Sequence, residues 1–178
     1  MSSRSAVTLR ARTDADLDAL YLIASDLDTW EERNLGRPAA RTREAWQARM
    51  VERDTDPAYN LNFVIDVDGE AVGNVGLFEV DELARHAEVG IALIPSARGK
   101  GIGTEAMAQM LEFAFVRGNL RRVHLEVIAS NAAAIRSYEK AGFVVEGRQR
   151  EHAWVRGQYE DIVRMGILRS EWSGAPAA

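Results

Sequence analysis

Six residues near the middle of the chain, Arg98-Gly99-Lys100-Gly101-Ile102-Gly103, have the types and spacing to hold an anion. Glycines let the backbone turn tightly and aim several amide N–H groups at one centre. A helix that starts at such a turn adds its unpaired first-turn N–H groups and the positive end of its dipole. Arg98 and Lys100 add formal charge. A pyrophosphate suits this arrangement, although the same glycines would equally serve a tight strand-to-helix connection. Spacing tests two nucleotide readings. A Walker loop ends in Gly-Lys-Ser/Thr, which this segment lacks. A dinucleotide fingerprint would be met by Gly101-Ile102-Gly103-Thr104-Glu105-Ala106, but it follows the first strand of a parallel unit, and a hairpin precedes this turn.

The turn must be positioned by the elements around it. Val7 to Arg12 alternates apolar and polar residues and predicts a strand. Thr13 or Asp14 offers an N-cap to a helix carrying Leu17, Leu20, Tyr21, Ala24 and Leu27 at helical spacing. Asp28 to Arg43 predicts a loop, and a weaker helix follows from Glu44 to Arg53. Leu61 to Val67 and Ala71 to Glu79 predict strands joined at Asp68-Gly69, a pair suited to a two-residue turn with positive φ. A further strand, Ala87 to Ile94, is closed by Pro95. The helix after the glycine-rich turn carries Met107, Met110, Leu111 and Ala114 on one face, with Gly118 as C-cap. Arg122 to Ala129 is a strand, a helix runs from Ser130-Asn131 to Gly142, and Phe143 to His152 pairs with Tyr159 to Leu168 through Gly157. The order β-α-α-β-β-β-α-β-α-β-β predicts an α/β (α+β) domain: one mixed central sheet of about seven strands with helices on both faces. We read a single domain over residues 1–178, with its core in 7–168 and a flexible tail over 173–178.

Specific segments then carry a family resemblance. Arg98-x-x-Gly101-x-Gly103 matches the [RQ]-x-x-G-x-[GA] signature of the GNAT superfamily of N-acetyltransferases. Glu88 to Pro95 is similar to that family's fourth strand. Leu125-Glu126-Val127, Asn131, Tyr138 and Gly142-Phe143 resemble its second acyl-CoA motif. The likeness spans Val7 to Leu168. Glu146 to Glu151, Gln158 to Asp161 and Met165 resemble the branch holding ribosomal-protein alanine N-acetyltransferases and spermidine acetyltransferases. The resemblance implies a mostly antiparallel sheet whose fourth and fifth strands splay apart to admit the pantetheine arm of acetyl-CoA. It implies backbone contacts to that co-substrate from Arg98, Gly99, Lys100, Gly101, Ile102, Gly103 and Thr104, and from Ile91, Ala92 and Leu93.

Acyl transfer to an amine sets three chemical demands. The amine, with an ordinary pKa near ~10.4, must lose a proton. The thioester carbonyl needs a hydrogen-bond donor, which the resemblance places on a main-chain N–H of Ile91 to Leu93. The departing thiolate, of pKa near ~8.5, gains from a proton donor. The family pattern gives that role to Tyr138; packing against the sheet is its structural alternative. Glu126, in the Leu-Glu-Val context of the family, is the favoured base, acting through water, or only a solvated or salt-bridged strand carboxylate. Glu88 is the rival base, with His86 and His124 behind them. Asn131 is a candidate cofactor contact that helix capping alone would also explain.

Acceptor selectivity is expected in Asp26 to Gly36 and in the last hairpin. Asp26, Asp28, Trp30, Glu31 and Glu32 would make an acidic, aromatic mouth for a cationic amine, or only a solvated loop. Asp161 and Glu151 are further candidates. The formal charge of −5 over 178 residues speaks against nucleic acid. The chain lacks cysteine, which excludes disulfides, thiolate metal sites and a thiol acyl-enzyme and fits a reducing cytoplasm. Three scattered histidines give no metal-binding spacing. No apolar run approaches the roughly 20 residues of a membrane helix. A homodimer would fit the family. An acyl-CoA-binding regulatory domain without turnover, and an enzyme using another donor such as succinyl-CoA, are the competing readings.

Overall fold

The computed structural model describes residues 6–31, 41–55 and 61–174. Alternating apolar residues place Val7–Arg10 (β1) at one edge of the sheet. Arg10 sends its guanidinium to two buried carboxylates, Asp16 at 2.8 Å and Asp66 at 2.7 Å. Asp16 also accepts from the Thr13 amide at 2.7 Å, so the chain turns directly into Leu17–Ser25 (α1). The stretch from Asp28, expected as loop, is helical at its start: Leu27–Glu31 is a short α2. Asp26 caps it, accepting from the Thr29 amide at 2.9 Å and from the Thr29 hydroxyl. Glu32, Gly36 and Pro38 lie outside the described residues, as do positions 175–178 of the tail. Arg43–Thr55 forms α3, a few residues longer than the sequence reading.

Asn62–Val67 (β2) and Glu70–Asp81 (β3) form the expected hairpin, with Asp68 at φ 55° and Gly69 at φ 91°. His86–Leu93 (β4) leads through a short turn of 3-10 helix at Pro95–Ala97 to Ile102–Glu112 (α4). Phe113–Arg117 continues α4 as a wider π turn, closed by Gly118 N–H on the Phe113 carbonyl at 2.8 Å. Gly118 stays right-handed there, and the left-handed residue that ends the helix is Asn119 at φ 49°. Arg122–Ile128 (β5), Ala132–Lys140 (α5), Val144–Val155 (β6) and Gln158–Leu168 (β7) complete the chain. β6 thus extends beyond His152, its expected end.

The sheet order is β1-β2-β3-β4-β5-β7-β6, antiparallel throughout except between β4 and β5. Strand alternation divides the side chains between two layers. On one face Val75, Leu77, Val89, Val123, Leu125 and Met165 pack with Met107, Met110, Leu111 and Phe115 of α4. On the other, Val64 and Ala92 pack with Leu20 and Ile23 of α1 and Trp46 of α3. Among the described residues no helix is long and apolar enough to cross a membrane.

Candidate active site

The parallel β4–β5 ladder is short. His86, Ala87 and Glu88 pair with Arg122, Val123 and His124, and beyond Glu88 the two strands part. β4 continues to Leu93 and β5 to Ile128, so a wedge-shaped gap opens between them. This is the expected splay. Its β4 wall can be read amide by amide. Ile94 N–H bonds the Val72 carbonyl at 2.9 Å, so β4 amides at alternate positions, Ala92 included, point toward β3. The amides of Ile91 and Leu93 face the gap. Of the three expected backbone donors, Ala92 is therefore removed.

The glycine-rich turn sits at the mouth of the gap. Gly99 and Gly101 hold φ of 73° and 84°, conformations that L side chains rarely adopt. Gly101 is the N-cap of α4, and no side chain caps the helix. The first intrahelical bond runs from Glu105 N–H to the Gly101 carbonyl at 3.1 Å. The amides of Ile102, Gly103 and Thr104 precede it and remain at the open helix end, where an anion is favoured. Lys100 is exposed beside them. The Arg98 amide, by contrast, is turned to the Pro95 carbonyl at 3.2 Å. Its side chain also departs from the phosphate-facing expectation: Nε donates to the Leu93 carbonyl at 3.1 Å, and one Nη donates to buried Thr29 at 2.8 Å.

Asn131 caps α5, its side-chain oxygen accepting from the Ala134 amide at 3.1 Å. It also lines a cavity of about 230 Å³ with Ile128, Ser130, Ala132, Val155 and Arg156. Ala134, Ile135, Tyr138 and Ala141 form the inward face of α5. The Tyr138 ring lies edge-on to Phe143 at 6.0 Å. The hydroxyls of Thr104 and Ser137 meet at 2.9 Å and tie α4 to α5.

Glu88 and Glu126 project from the opposite side of the sheet, facing across the apex of the gap. Their environments differ. Glu126 is paired with Arg164 of β7 at 2.7 Å. Burial pushes the Glu88 carboxyl up to about 7, reinforced by the Glu126 and Glu79 carboxylates and opposed by Arg164. A carboxyl poised near neutrality can take a proton at physiological pH. His124, the cross-strand neighbour of Glu88, is held below the usual histidine range by burial, with Arg122 and His86 adding to the effect.

The acceptor candidates are more dispersed. Trp30 lies on α2 beneath the Arg41 guanidinium, 5.0 Å from the ring centre, and Glu31 ends that helix. Asp28 accepts from Arg156 at the β6–β7 turn at 3.3 Å. Asp161 accepts from Arg148 at 2.5 Å and from the Glu151 amide at 2.8 Å. Strand alternation places Asp161 on the other side of β7 from Arg164, away from the two glutamates. Thr29, Arg164 and the His86–His124 pair are the participants that sequence reasoning missed or set aside. A buried threonine inside an expected loop carries no sequence signal, and Arg164 acquires meaning only from strand register.

Comparison with known proteins agrees with this geometry. The family model described as an acetyltransferase (GNAT) domain matches residues 6–144. The chain is 36% identical over 110 residues to spermidine N(1)-acetyltransferase of Escherichia coli, a match spanning 62% of this chain and 59% of that relative. It is 32% identical over 165 residues to a probable N-acetyltransferase, YjcK, of Bacillus subtilis, covering 89% of this chain and 91% of the other. The crystal structure of spermidine N-acetyltransferase from Vibrio cholerae in complex with CoA and spermine superposes with a TM-score of 0.84. That match has 28% identity and covers 93% of this chain and 96% of the other. With its splayed parallel pair, open helix end and matched signature segments, the chain belongs to the GNAT family of acetyltransferases.

Proposed function

We propose that the protein transfers the acetyl group of acetyl-CoA to a primary amine, by direct attack while both substrates are bound. The observation that carries this reading is the half-buried Glu88 at the apex of the β4–β5 gap, poised near neutrality where an amine would meet a thioester lying in the gap. The amides of Ile102, Gly103 and Thr104, with Lys100, would hold the pyrophosphate. Those of Ile91 and Leu93 would bond the pantetheine arm and the acyl carbonyl. Acetyl-CoA supplies an acyl group activated as a thioester.

Glu88 is the favoured base, and Glu126, bound by Arg164, tunes it. Tyr138, on the inward face of α5, is the candidate proton donor to the departing thiolate. Glu88 takes one proton from the ammonium form of the acceptor, which frees the nitrogen lone pair for attack. The second proton lost by nitrogen replaces the one Tyr138 gives to sulfur.

The relatives named for spermidine make a polyamine the first acceptor to try. Asp26, Asp28 and Asp161 each accept bonds from within the chain, so an open acidic mouth is not what supports that choice. An acceptor panel tests the proposal: polyamines, aminoglycosides, amino acids and peptides beginning with Ala or Ser, with acetyl-CoA as donor and free thiol as readout. Thiol release with at least one acceptor is expected. Tight CoA binding without release across the panel would replace the enzyme with a regulatory acyl-CoA-binding domain. Running succinyl-CoA in parallel tests the identity of the donor.

A further inference from the structure

We propose that Phe78, held over Gly90, seats the hydrocarbon chain that carries the reacting nitrogen. It thereby selects amines on unbranched alkyl chains over amino acids and peptide N-termini. The inference rests on the acetyl-transfer reading, with Glu88 at the reacting centre. Phe78 is an aromatic residue without a place in the core. It is half-buried, yet among the described residues it belongs to none of the apolar clusters.

Strand register shows what holds the ring instead. Phe78 pairs with Glu88 across β3 and β4, and two residues along Gly76 pairs with Gly90. Alternation puts these four residues on one face, opposite Leu77 and Val89, which pack with α4. A facing pair of glycines leaves a hollow in that face, and two neighbours lean into it. A Cβ at Gly90 would stand 2.9 Å from Phe78 Cε1, and one at Gly76 would strike the Asn62 side chain. The missing side chain at Gly90 is thus the space the phenyl ring needs. Gly90 is also the first residue on this face beyond Glu88–His124, the last rung shared by β4 and β5. The ring therefore sits where the gap opens, on the side from which Glu88 projects.

An acceptor whose nitrogen reaches Glu88 lays its adjoining carbons beside this ring. Glu126 and Glu79 add negative charge around Glu88, opposed by Arg164, so the arriving ammonium is attracted. A phenyl ring draws a cation and buries methylene groups, but it offers no conventional hydrogen bond. An alkylamine brings only methylenes to it. A peptide N-terminus or a free amino acid brings a carbonyl one carbon from the nitrogen. That oxygen would give up water against the ring without gaining a partner there. Asn62 comes from β2, two strands from Glu88, and would meet the acceptor farther along its length.

A homologous series tests the seat: propylamine, butylamine, pentylamine and hexylamine beside alaninamide, with acetyl-CoA as donor and free thiol as readout. For the wild type kcat/KM is expected to rise roughly fourfold per added methylene, with alaninamide the poorest acceptor. Phe78→Ala should flatten that rise to below about twofold and raise the KM for hexylamine roughly 10-fold. Its kcat and its Kd for CoA should stay within about twofold of the wild type. Gly90→Ala, whose methyl group forces the ring aside, should shift the series in the same direction. It covers the case in which Phe78→Ala fails to fold. A phenylalanine that only supports the sheet would change kcat or CoA affinity and leave the dependence on chain length intact. An unchanged dependence in the variants, or alaninamide as good as hexylamine with the wild type, overturns the inference. The outcomes also separate the two proposals. Thiol release by the wild type with no amine of any class removes the acetyl-transfer reading and the seat with it, whereas turnover with an unchanged series removes the seat alone.

Discussion

Replacing Glu88 by glutamine should make the protein more stable and nearly inactive at once. The carboxyl is raised from an ordinary 4.5 to about 7, chiefly by burial. At ~1.36 kcal/mol per pH unit, complete conversion of that difference would give roughly 3.4 kcal/mol. The side chain is only half-buried, and solvent screening reduces the expected effect to about 1–2 kcal/mol. The sign follows from linkage. Below pH 4.5 the carboxyl is neutral in both folded and unfolded chains, and the wild type keeps its full stability. As pH rises the unfolded chain ionises first, and the loss is complete once pH passes the folded value near 7. Glutamine never ionises and escapes this loss. Urea unfolding followed by tryptophan fluorescence should therefore show no difference at the acid end and a gain of about 1–2 kcal/mol for Glu88→Gln at pH 8, or roughly 3–6 °C in Tm. Over the same range kcat/KM of the wild type should rise with pH through about 7, and the variant should fall by roughly 10²–10⁴-fold. A stability difference independent of pH, or unreduced turnover in the variant, would refute the reasoning.

Tyr138→Phe should slow turnover roughly 10–100-fold while leaving the Kd for CoA within about twofold, measured by single-turnover kinetics and calorimetry. Gly101→Ala has open space for its methyl group but must hold φ near 84°, so a cost of about 1–2 kcal/mol and weaker CoA binding are expected. Asp16→Asn should destabilise the fold by about 1–3 kcal/mol in urea melts, because the buried carboxylate anchors Arg10 and the Thr13 amide. Arg10 holds the Asp16 carboxyl well below the usual carboxylate range, so its contribution is present above the unfolded pKa and lost as pH falls through the folded one. The asparagine variant should accordingly lose less stability on acidification than the wild type.

Much of this architecture was legible because local chemistry and tertiary packing agree. Asp68-Gly69 specified its turn, and Leu61 to Val67 carried a period of two that only a half-buried strand requires. The misses have local causes. Glu151 takes φ 52° in an irregular stretch of β6, which breaks the alternation just where the strand was expected to end at His152. The short helix over Leu27–Glu31 has too few residues to show a period, and one of its anchors, Arg98, lies 69 positions away. The signature segments are what point to the proposed donor side of the site. The sequence pattern favours Glu126 over Glu88, and the proposal reverses that order because Glu126 is paired with Arg164, whose place beside it is set by the pairing of β5 with β7.

The bonds made by Arg98 bear on what the signature asks of its first position. That position admits arginine or glutamine, residues that differ in charge but share terminal N–H donors on a flexible stem. A phosphate ligand would make the exchange costly. A tie between the Leu93 carbonyl and a hydroxyl on the neighbouring helix would not, since an amide can serve there as well. The tolerance of the motif is then a property of a strut. The arginine ties the end of β4 to α2, and the proposed pyrophosphate site is left to Lys100 and to the amides at the start of α4, which any substitution but proline would keep.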